Sequence, residues 1–496
     1  MNNSTLKIIA AALCLGTFCA TTIAQSAEPE HGSDTTVVEH DSKLFRTDPN
    51  YEDHAYDANE QLQIYGGKRQ LDERFYPLLF GSRMYPLGEL STGWNLIGSK
   101  NRVYPRLMAF GDLRLAYTTN ETGKGQVSFV AVRLNADVDF AITATERLHV
   151  LFQPFDQNNA FTNYTFQAPA GGQNNHFNKT LNPNLQAAFF EGDLGSIASG
   201  ITGTYNHLDL PVAAGLMPVI FHNGIWVNDT FTGAAATIPA KNSKLLDISN
   251  MDFTAFAGLN RVATAIQAKN DFFDARIYGF NSFIETRGGY IEAGYGYTQD
   301  LSTNNQSYHN AALSFTHRVQ NILSMSERVI GNFGQSTDAK GNKSANGALF
   351  LLETSWMTRK PYTLIPYANL FCGIDKPQGL AKNNGILANT GIIFDGDALT
   401  AFPTLENSAN NTYGGALGLE YLFNLDQQIV LEAGTVQVLR GPNFANSKEI
   451  DDEYGFGFRY QIPLTKEIIF RTDGIYGIRK QQNDIAGVRA ELRFKY

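Results

Sequence analysis

The feature that most constrains this chain is alternation of apolar and polar residues at a period of two, repeated segment after segment. Between Gln126 and Ala144 the even positions carry Val130, Val132, Leu134, Ala136, Val138, Phe140 and Ile142, and the odd ones include Arg133, Asn135, Asp137 and Asp139. On a helix these charges would scatter around the circumference; on a strand they share one side. Leu107, Ala109, Leu113, Leu115 and Tyr117 oppose Arg106, Asp112 and Arg114 in the same way. Near the C-terminus Tyr454, Phe456, Phe458, Tyr460 and Ile462 oppose Gly455, Gly457, Arg459 and Gln461, while Ile468, Phe470 and Tyr476 oppose Arg471 and Asp473. Weaker versions occupy 185–194, 205–220, 251–260, 273–285, 289–298, 308–318, 322–334, 346–357, 363–374, 412–423 and 428–438. The segments are about the 9–11 residues that a tilted strand needs to cross a bilayer.

Both ends of the chain speak to compartment. Residues 1–27 carry Lys7, an apolar stretch from Ile8 to Ala20, and small residues with candidate cleavage after Ala24 or Ala27, the layout of a secretory signal peptide. Its removal leaves Cys372 as the single cysteine, in phase with Ala368 and Leu370, so no intramolecular disulfide is expected and Cys372 reads as a small hydrophobe. At the other end Val488, Ala490, Leu492, Phe494 and Tyr496 share one face and Arg489, Glu491, Arg493 and Lys495 the other. Five apolar residues at period two, ending on a terminal aromatic, resemble the C-terminal assembly signal of Gram-negative outer-membrane β-barrels. An amphipathic edge strand of a soluble sheet gives the same local pattern.

The connections decide between the two. Thr145-Glu146, Thr286-Arg-Gly288 and Leu464-Thr-Lys466 are short, whereas 157–183 and 375–411 are long and rich in Asn, Gly and Thr. Short turns at one end and long loops at the other are barrel topology, with the long loops expected outside the cell. Counting crossings from both termini agrees only if 222–250 contributes one more strand, around Phe231–Ala240. The expected fold is therefore an all-β, transmembrane antiparallel barrel of about 18 strands over 101–496, with 16 as the alternative. Hydrocarbon forces closure, because an unpaired backbone group there costs several kcal/mol.

Composition removes other classes. Only 18% of the 496 residues are charged, and past residue 27 no apolar run approaches the ~20 residues of a membrane-spanning helix. A net charge of −9 without a basic block argues against nucleic acid as a partner. Ten acids between Glu28 and Glu60 against Lys43 and Arg46 predict a disordered acidic periplasmic tail. His31, His40 and His54 lie among them at spacings that match no metal-ligand motif, so no metal or cofactor is expected. Residues 61–100, with Phe75, Tyr76, Leu78, Leu79, Phe80, Met84, Tyr85 and Leu87, form a short periplasmic or plug-like segment, too short for the globular plug of a TonB-dependent receptor.

With apolar faces toward lipid, the charged faces line a polar lumen. The candidate pore-lining residues are Asp112, Arg114, Arg133, Asp137, Asp139, Glu191, Asp193, Arg276, Arg318, Arg328, Glu420, Arg459, Arg471, Asp473, Arg489, Glu491 and Arg493. Acids predominate in early strands and arginines in the last, which meet where the barrel closes, so a transverse field is expected across the lumen. Ile225–Asp229 (IWVND) is too apolar for an exposed loop and either folds into the pore or forms an interface or anchor.

At class level the chain resembles a Gram-negative porin, in size and strand number the substrate-specific and alginate-export barrels. The resemblance rests on the export signal, Tyr496 and the strand pattern, and no motif carries a substrate over. It implies an outer-membrane channel for small polar solutes, with outer-membrane lipid and the barrel-assembly machinery as partners and a homotrimer as the class habit. Two other readings stay open. A plugged barrel would serve surface binding through 157–183 and 375–411. An outer-membrane hydrolase would need a catalytic pair, for which His207 with Asp209 and His309 beside Ser307 are the nearest candidates among His149, His176, His207, His222, His309 and His317. No catalytic residue is expected.

Overall fold

The computed structural model describes residues 93–496 apart from 124, 158–159, 170, 183–184, 267–274, 287, 303–304, 339–340, 361–362, 424–425 and 441–450, together with the backbone of Leu78–Gly81. The expected signal peptide, the acidic tail and most of 61–100 lie outside the described residues.

Eighteen antiparallel strands close into one barrel. They are β1 Arg106–Glu121, β2 Gln126–Ala141, β3 in two pieces (Arg147–Phe152 and Ala160–Gln167), β4 in two pieces (His176–Asn178 and Leu185–Asp193), β5 Pro211–Phe221 and β6 Val227–Ser243. There follow β7 Ile248–Asn260, β8 Ala275–Thr286, β9 Gly289–Asp300, β10 Tyr308–Val319, β11 Leu323–Phe333 and β12 Asn346–Trp356. The last six are β13 Leu364–Lys376, β14 Thr412–Phe423, β15 Gln427–Val438, β16 Glu453–Pro463, β17 Ile468–Arg479 and β18 Ile485–Lys495. Each pairs with the next, and β1 pairs with β18 from Asp112↔Lys495 to Glu121↔Ala486, so no edge is left. Tyr496 continues that seam: its N–H and C=O exchange bonds with Gly111, and its hydroxyl donates to the Asn135 carbonyl. The extra crossing at 231–240 exists, inside β6.

Side chains alternate across the wall. Leu417 is 64% exposed, Phe456 56% and Val488 53%, on the same outward face as Leu115, Leu431 and Tyr476. This apolar belt meets lipid. Near the outer ends of β8–β11, Tyr278, Phe280, Tyr295, Tyr297, His309 and Phe333 add an aromatic girdle, with the Tyr295 hydroxyl 2.8 Å from His309 Nδ1. A closed barrel with such a belt belongs to the Gram-negative outer membrane, and that is where this chain resides. No helix among the described residues is long and apolar enough to cross a membrane.

Three expectations need correction. The span 205–220 is strand only from Pro211; before it a helix, Leu194–Thr202, follows β4. Asp193 caps that helix, accepting the Ser196 N–H at 2.6 Å and the Leu210 N–H at 2.8 Å, so its carboxylate serves a periplasmic turn rather than the pore. The span 157–183 is not one loop, since β3 and β4 run on through Ala160–Gln167 and His176–Asn178. Of 61–100, Leu78–Gly81 extends the wall by pairing with β1 (Leu78↔Ala109, Gly81↔Arg106). Trp94 bridges to Val103, and the stretch beyond it packs on the helix, where a Cβ on Gly98 would meet the Gly200 carbonyl at 1.8 Å.

Candidate functional site: the lumen and its internal strap

The long connection 377–411 is not an external loop. It leaves β13, crosses the barrel interior and returns to β14 as a strap anchored to the inner wall. Its carbonyl at Gln378 accepts from Asn310 (2.9 Å) on β10 and Asn332 (3.2 Å) on β11. Ala381–Lys382 pairs parallel to Val227–Asn228 of β6, and the Lys382 N–H donates to the Ala263 carbonyl at 2.9 Å. The Ile393 N–H donates to Glu432 of β15 at 2.9 Å, and Asn369 of β13 donates to the Thr390 carbonyl. On the far side Asn120 of β1 donates to the carbonyls of Thr400 (2.8 Å) and Ala401 (3.0 Å).

Apolar burial holds the strap in place. Leu380, Leu387, Ile393, Phe394 and Leu405 join inner-wall residues such as Phe256, Ile330, Leu349 and Phe371 in one buried cluster. The turn before β6 folds in beside it. Trp226 is fully buried, its indole N–H donates to Asn310 Oδ1 at 2.7 Å, and its carbonyl accepts from the Leu380 N–H at 2.8 Å. Of the two expectations for Ile225–Asp229, inward folding is the one realised.

The inward glycines make room for this packing. A Cβ on Gly294 would sit 2.5 Å from the Trp226 ring, on Gly296 2.4 Å from Leu380, on Gly457 2.8 Å from Ile392 and on Gly455 2.8 Å from Leu405. The Tyr-Gly-Phe-Gly-Phe run of β16 therefore encodes two surfaces, with aromatics toward lipid and glycines toward the strap.

Contacts with the strap identify the inner face, and most of the expected pore-lining residues lie on it. Asp473 on β17 is a hub: Arg459 (2.6 Å), Arg471 (2.7 Å) and Arg489 (2.8 Å) all converge on its carboxylate. The strap supplies the opposite partners, Asp395 to Arg459 at 3.4 Å and Asp397 to Arg489 at 2.5 Å. Across the seam Arg493 meets Glu491 (2.9 Å) and Asp112 (3.7 Å), and Asp112 also binds Arg114 at 2.7 Å. Arg133 pairs with Asp156 (3.1 Å), and Asp139 with Arg147 (3.5 Å). Glu191 meets His149 at 3.2 Å, Arg328 meets Glu353 at 2.6 Å, and Glu420 accepts from Gln428 at 2.5 Å. Asp137 and Arg318 share the inward phase of β2 and β10.

Arg276 does not. On β8 the buried Ala275 and Ile277 take the inward phase, and Arg276 lies exposed with Tyr278 and Phe280 on the outer face. The alternation there is apolar on both faces, so parity read from the sequence alone picked the wrong one. As the second residue of its strand Arg276 stays at the outer rim, where a cation reaches water.

Two strap groups are shifted by burial. Desolvation lowers Lys382 to about 8, with the nearby Arg328 charge acting in the same direction. Burial also raises the Asp395 carboxyl, against the pull of Arg459. The sequence reading missed Lys382, Asp395, Asp397 and Asn120. Asp395 and Asp397 fall in a span read as extracellular, although its Ile386, Leu387, Ile392, Ile393, Phe394 and Leu399 signalled burial. The histidine pairs do not assemble. His207 is exposed against Tyr205 beyond the helix, and Ser307 accepts from the Asp300 N–H while His309 sits in the outer girdle.

No protein-family model and no curated protein matches the chain. Solved structures do. OccAB2 of Acinetobacter baumannii is similar at 11% identity, covering 79% of this chain and 98% of its own, with a TM-score of 0.51. The outer membrane protein OpdK of Pseudomonas aeruginosa is similar at 11%, covering 79% and 98%, with a TM-score of 0.50. OccK2 (OpdF) of the same organism is similar at 11%, covering 78% and 97%, also at 0.50. The fold is that of Gram-negative outer-membrane porin-type barrels.

Proposed function

We propose that the protein is an outer-membrane channel for passive or selective diffusion of small polar solutes, narrowed by the strap. One observation carries the reading: the strap's Asp395 and Asp397 ion-pair with Arg459 and Arg489 of the β16–β18 arginine row, so charged groups of both signs line the lumen where the strap meets that wall. Charged groups of both signs along a confined aqueous path orient dipolar solutes. Barrels of 16–18 strands usually enclose an aqueous channel, and the porin-type fold supports the same view. The test is ion selectivity of the refolded chain in a planar bilayer. Arg459→Glu and Arg471→Glu should each shift the reversal potential toward cations; unchanged selectivity in both would remove the arginine row from the conducting path.

The apolar packing of the strap favours a second reading, a plugged barrel with a binding or hydrolytic role. In that case the intact chain shows no conductance steps, and function resides in the external segments. The domain plan belongs to the proposal too: residues 1–27 as export signal, 28–60 as periplasmic tail, 61–100 as a short accessory segment. So does recognition of Val488, Ala490, Leu492, Phe494 and Tyr496 by the assembly machinery. Association into trimers would be read from the mass of the detergent complex.

A further inference from the structure

The strap does not fill the barrel evenly. Along β5–β18 it packs with apolar contacts, but beside β2–β4 it leaves a cavity of about 550 Å³ on its outer side. The cavity lies between Ala398, Leu399 and Ala401 of the strap tip and Phe129, Phe161 and the 176–180 stretch of the wall. Here both neighbouring strands, β3 and β4, are interrupted, and the break in β3 turns inward. Gln153 and Asp156 bind Arg133 just below, and Arg133 lies over the Phe161 ring at 5.4 Å. The cavity therefore stands at the outer entrance to the charged column along β1–β4.

Its chemistry differs from the rest of the lumen. Elsewhere paired ions dominate; here amides and hydroxyls form a ladder. Asn178 donates to Asn163 Oδ1 (3.0 Å), Thr165 donates to the same oxygen (3.2 Å), and Asn163 donates to the Phe161 carbonyl (2.9 Å). The Asn178 side chain keeps a second N–H and its carbonyl without partners among the described residues, and so does the His176 ring. Among the described residues no carboxylate lines the cavity, and the one lysine, Lys179, is exposed at the rim. Uncharged groups that both donate and accept, beside phenylalanine rings, match a ring that is polar at its edge and apolar on its faces. The volume falls within the ~300–1,000 Å³ of ordinary small-molecule sites.

We propose that this cavity is the outer binding subsite of the channel and that it takes a neutral saccharide, held by the Asn163–Asn178 ladder and by Phe129. The inference deepens the channel reading and rests on it for the route the solute then follows. Binding is measured apart from conduction, by saturation-transfer NMR on the full chain refolded in detergent with maltose, sucrose and raffinose as probes and gluconate as a charged comparison. Transfer to ring protons of at least one sugar, stronger than to gluconate, is expected. Asn178→Leu should weaken it at least fivefold, and Ala398→Trp, which fills the cavity from the strap, should do the same if the first variant fails to fold. The proposal is overturned if no sugar shows transfer from a folded barrel, if gluconate exceeds all three, or if both variants bind as the parent does. Sugar binding by a barrel that never conducts would leave the subsite standing and refute the channel.

Discussion

Asp473→Asn removes one negative charge from the point where three arginines meet. In the folded chain Arg459, Arg471 and Arg489 are balanced by Asp473, Asp395 and Asp397, so the variant leaves one positive charge uncompensated. An ion passing about 7 Å from that charge in water feels about 0.6 kcal/mol, from 332/(80 × 7). Anions gain this and cations lose it, a difference of about 1.2 kcal/mol, or roughly sevenfold in the permeability ratio; salt near 0.1 M, with a Debye length of about 10 Å, trims it. Stability falls as well. Removing one partner of a buried pair costs about 3–5 kcal/mol, but Arg459 and Arg471 remain 18% and 19% exposed, so the lower end applies. The assay is the reversal potential across a salt gradient, measured on channels whose folding is confirmed by gel mobility. A shift toward anions is expected. A folded, conducting variant with the parent's selectivity would refute the placement of this hub beside the ion path.

Other consequences follow from the same geometry. Gly457→Leu drives a side chain into Ile392 and Ile393 of the strap; overpacking of this kind costs about 1–3 kcal/mol, and larger or noisier conductance steps should report a displaced strap. Lys382, lowered to about 8, sheds its charge as pH rises from 7 to 9.5, so selectivity should move toward cations across that window, and Lys382→Met should abolish the movement. Leu431→Arg puts a cation on the lipid face at mid-strand, which should destabilise the barrel by about 2–4 kcal/mol in unfolding titrations while leaving selectivity unchanged. Deleting Tyr496 removes the two backbone bonds to Gly111 and the bond to Asn135, and should lower the yield of heat-modifiable barrel.

The barrel itself was legible because hydrocarbon imposes a binary code on every crossing: apolar out, polar in, period two. That code located β1, β2, β16 and β18 to within about four residues at each end, and topological parity alone called for a strand inside 222–250. It failed where a strand is apolar on both faces. On β8, Ile277 packs inward against the buried cluster and Tyr278 faces lipid, so Arg276 could not be assigned a side from its neighbours. The strap was hidden for a different reason. Asn, Gly and Thr made 377–411 look like an exposed loop, and nothing local says that a loop turns into its own barrel. One signal was local, apolar residues too numerous for a loop in water; the other was long-range, glycines on β9 and β16 whose missing side chains match Leu380 and Ile392. Asp395 and Asp397 gain their meaning only from partners more than sixty residues away.

Single-channel conductance of the parent chain beside a variant whose strap is cut from 383–408 to a short Gly-Ser linker decides whether the strap sets the width of the path. Discrete steps are expected from the parent, and several-fold larger steps with weaker ion selectivity from the shortened form. A silent parent whose shortened form conducts would make the strap a plug, and equal conductance in the two would mean that the strap does not set the width of the path.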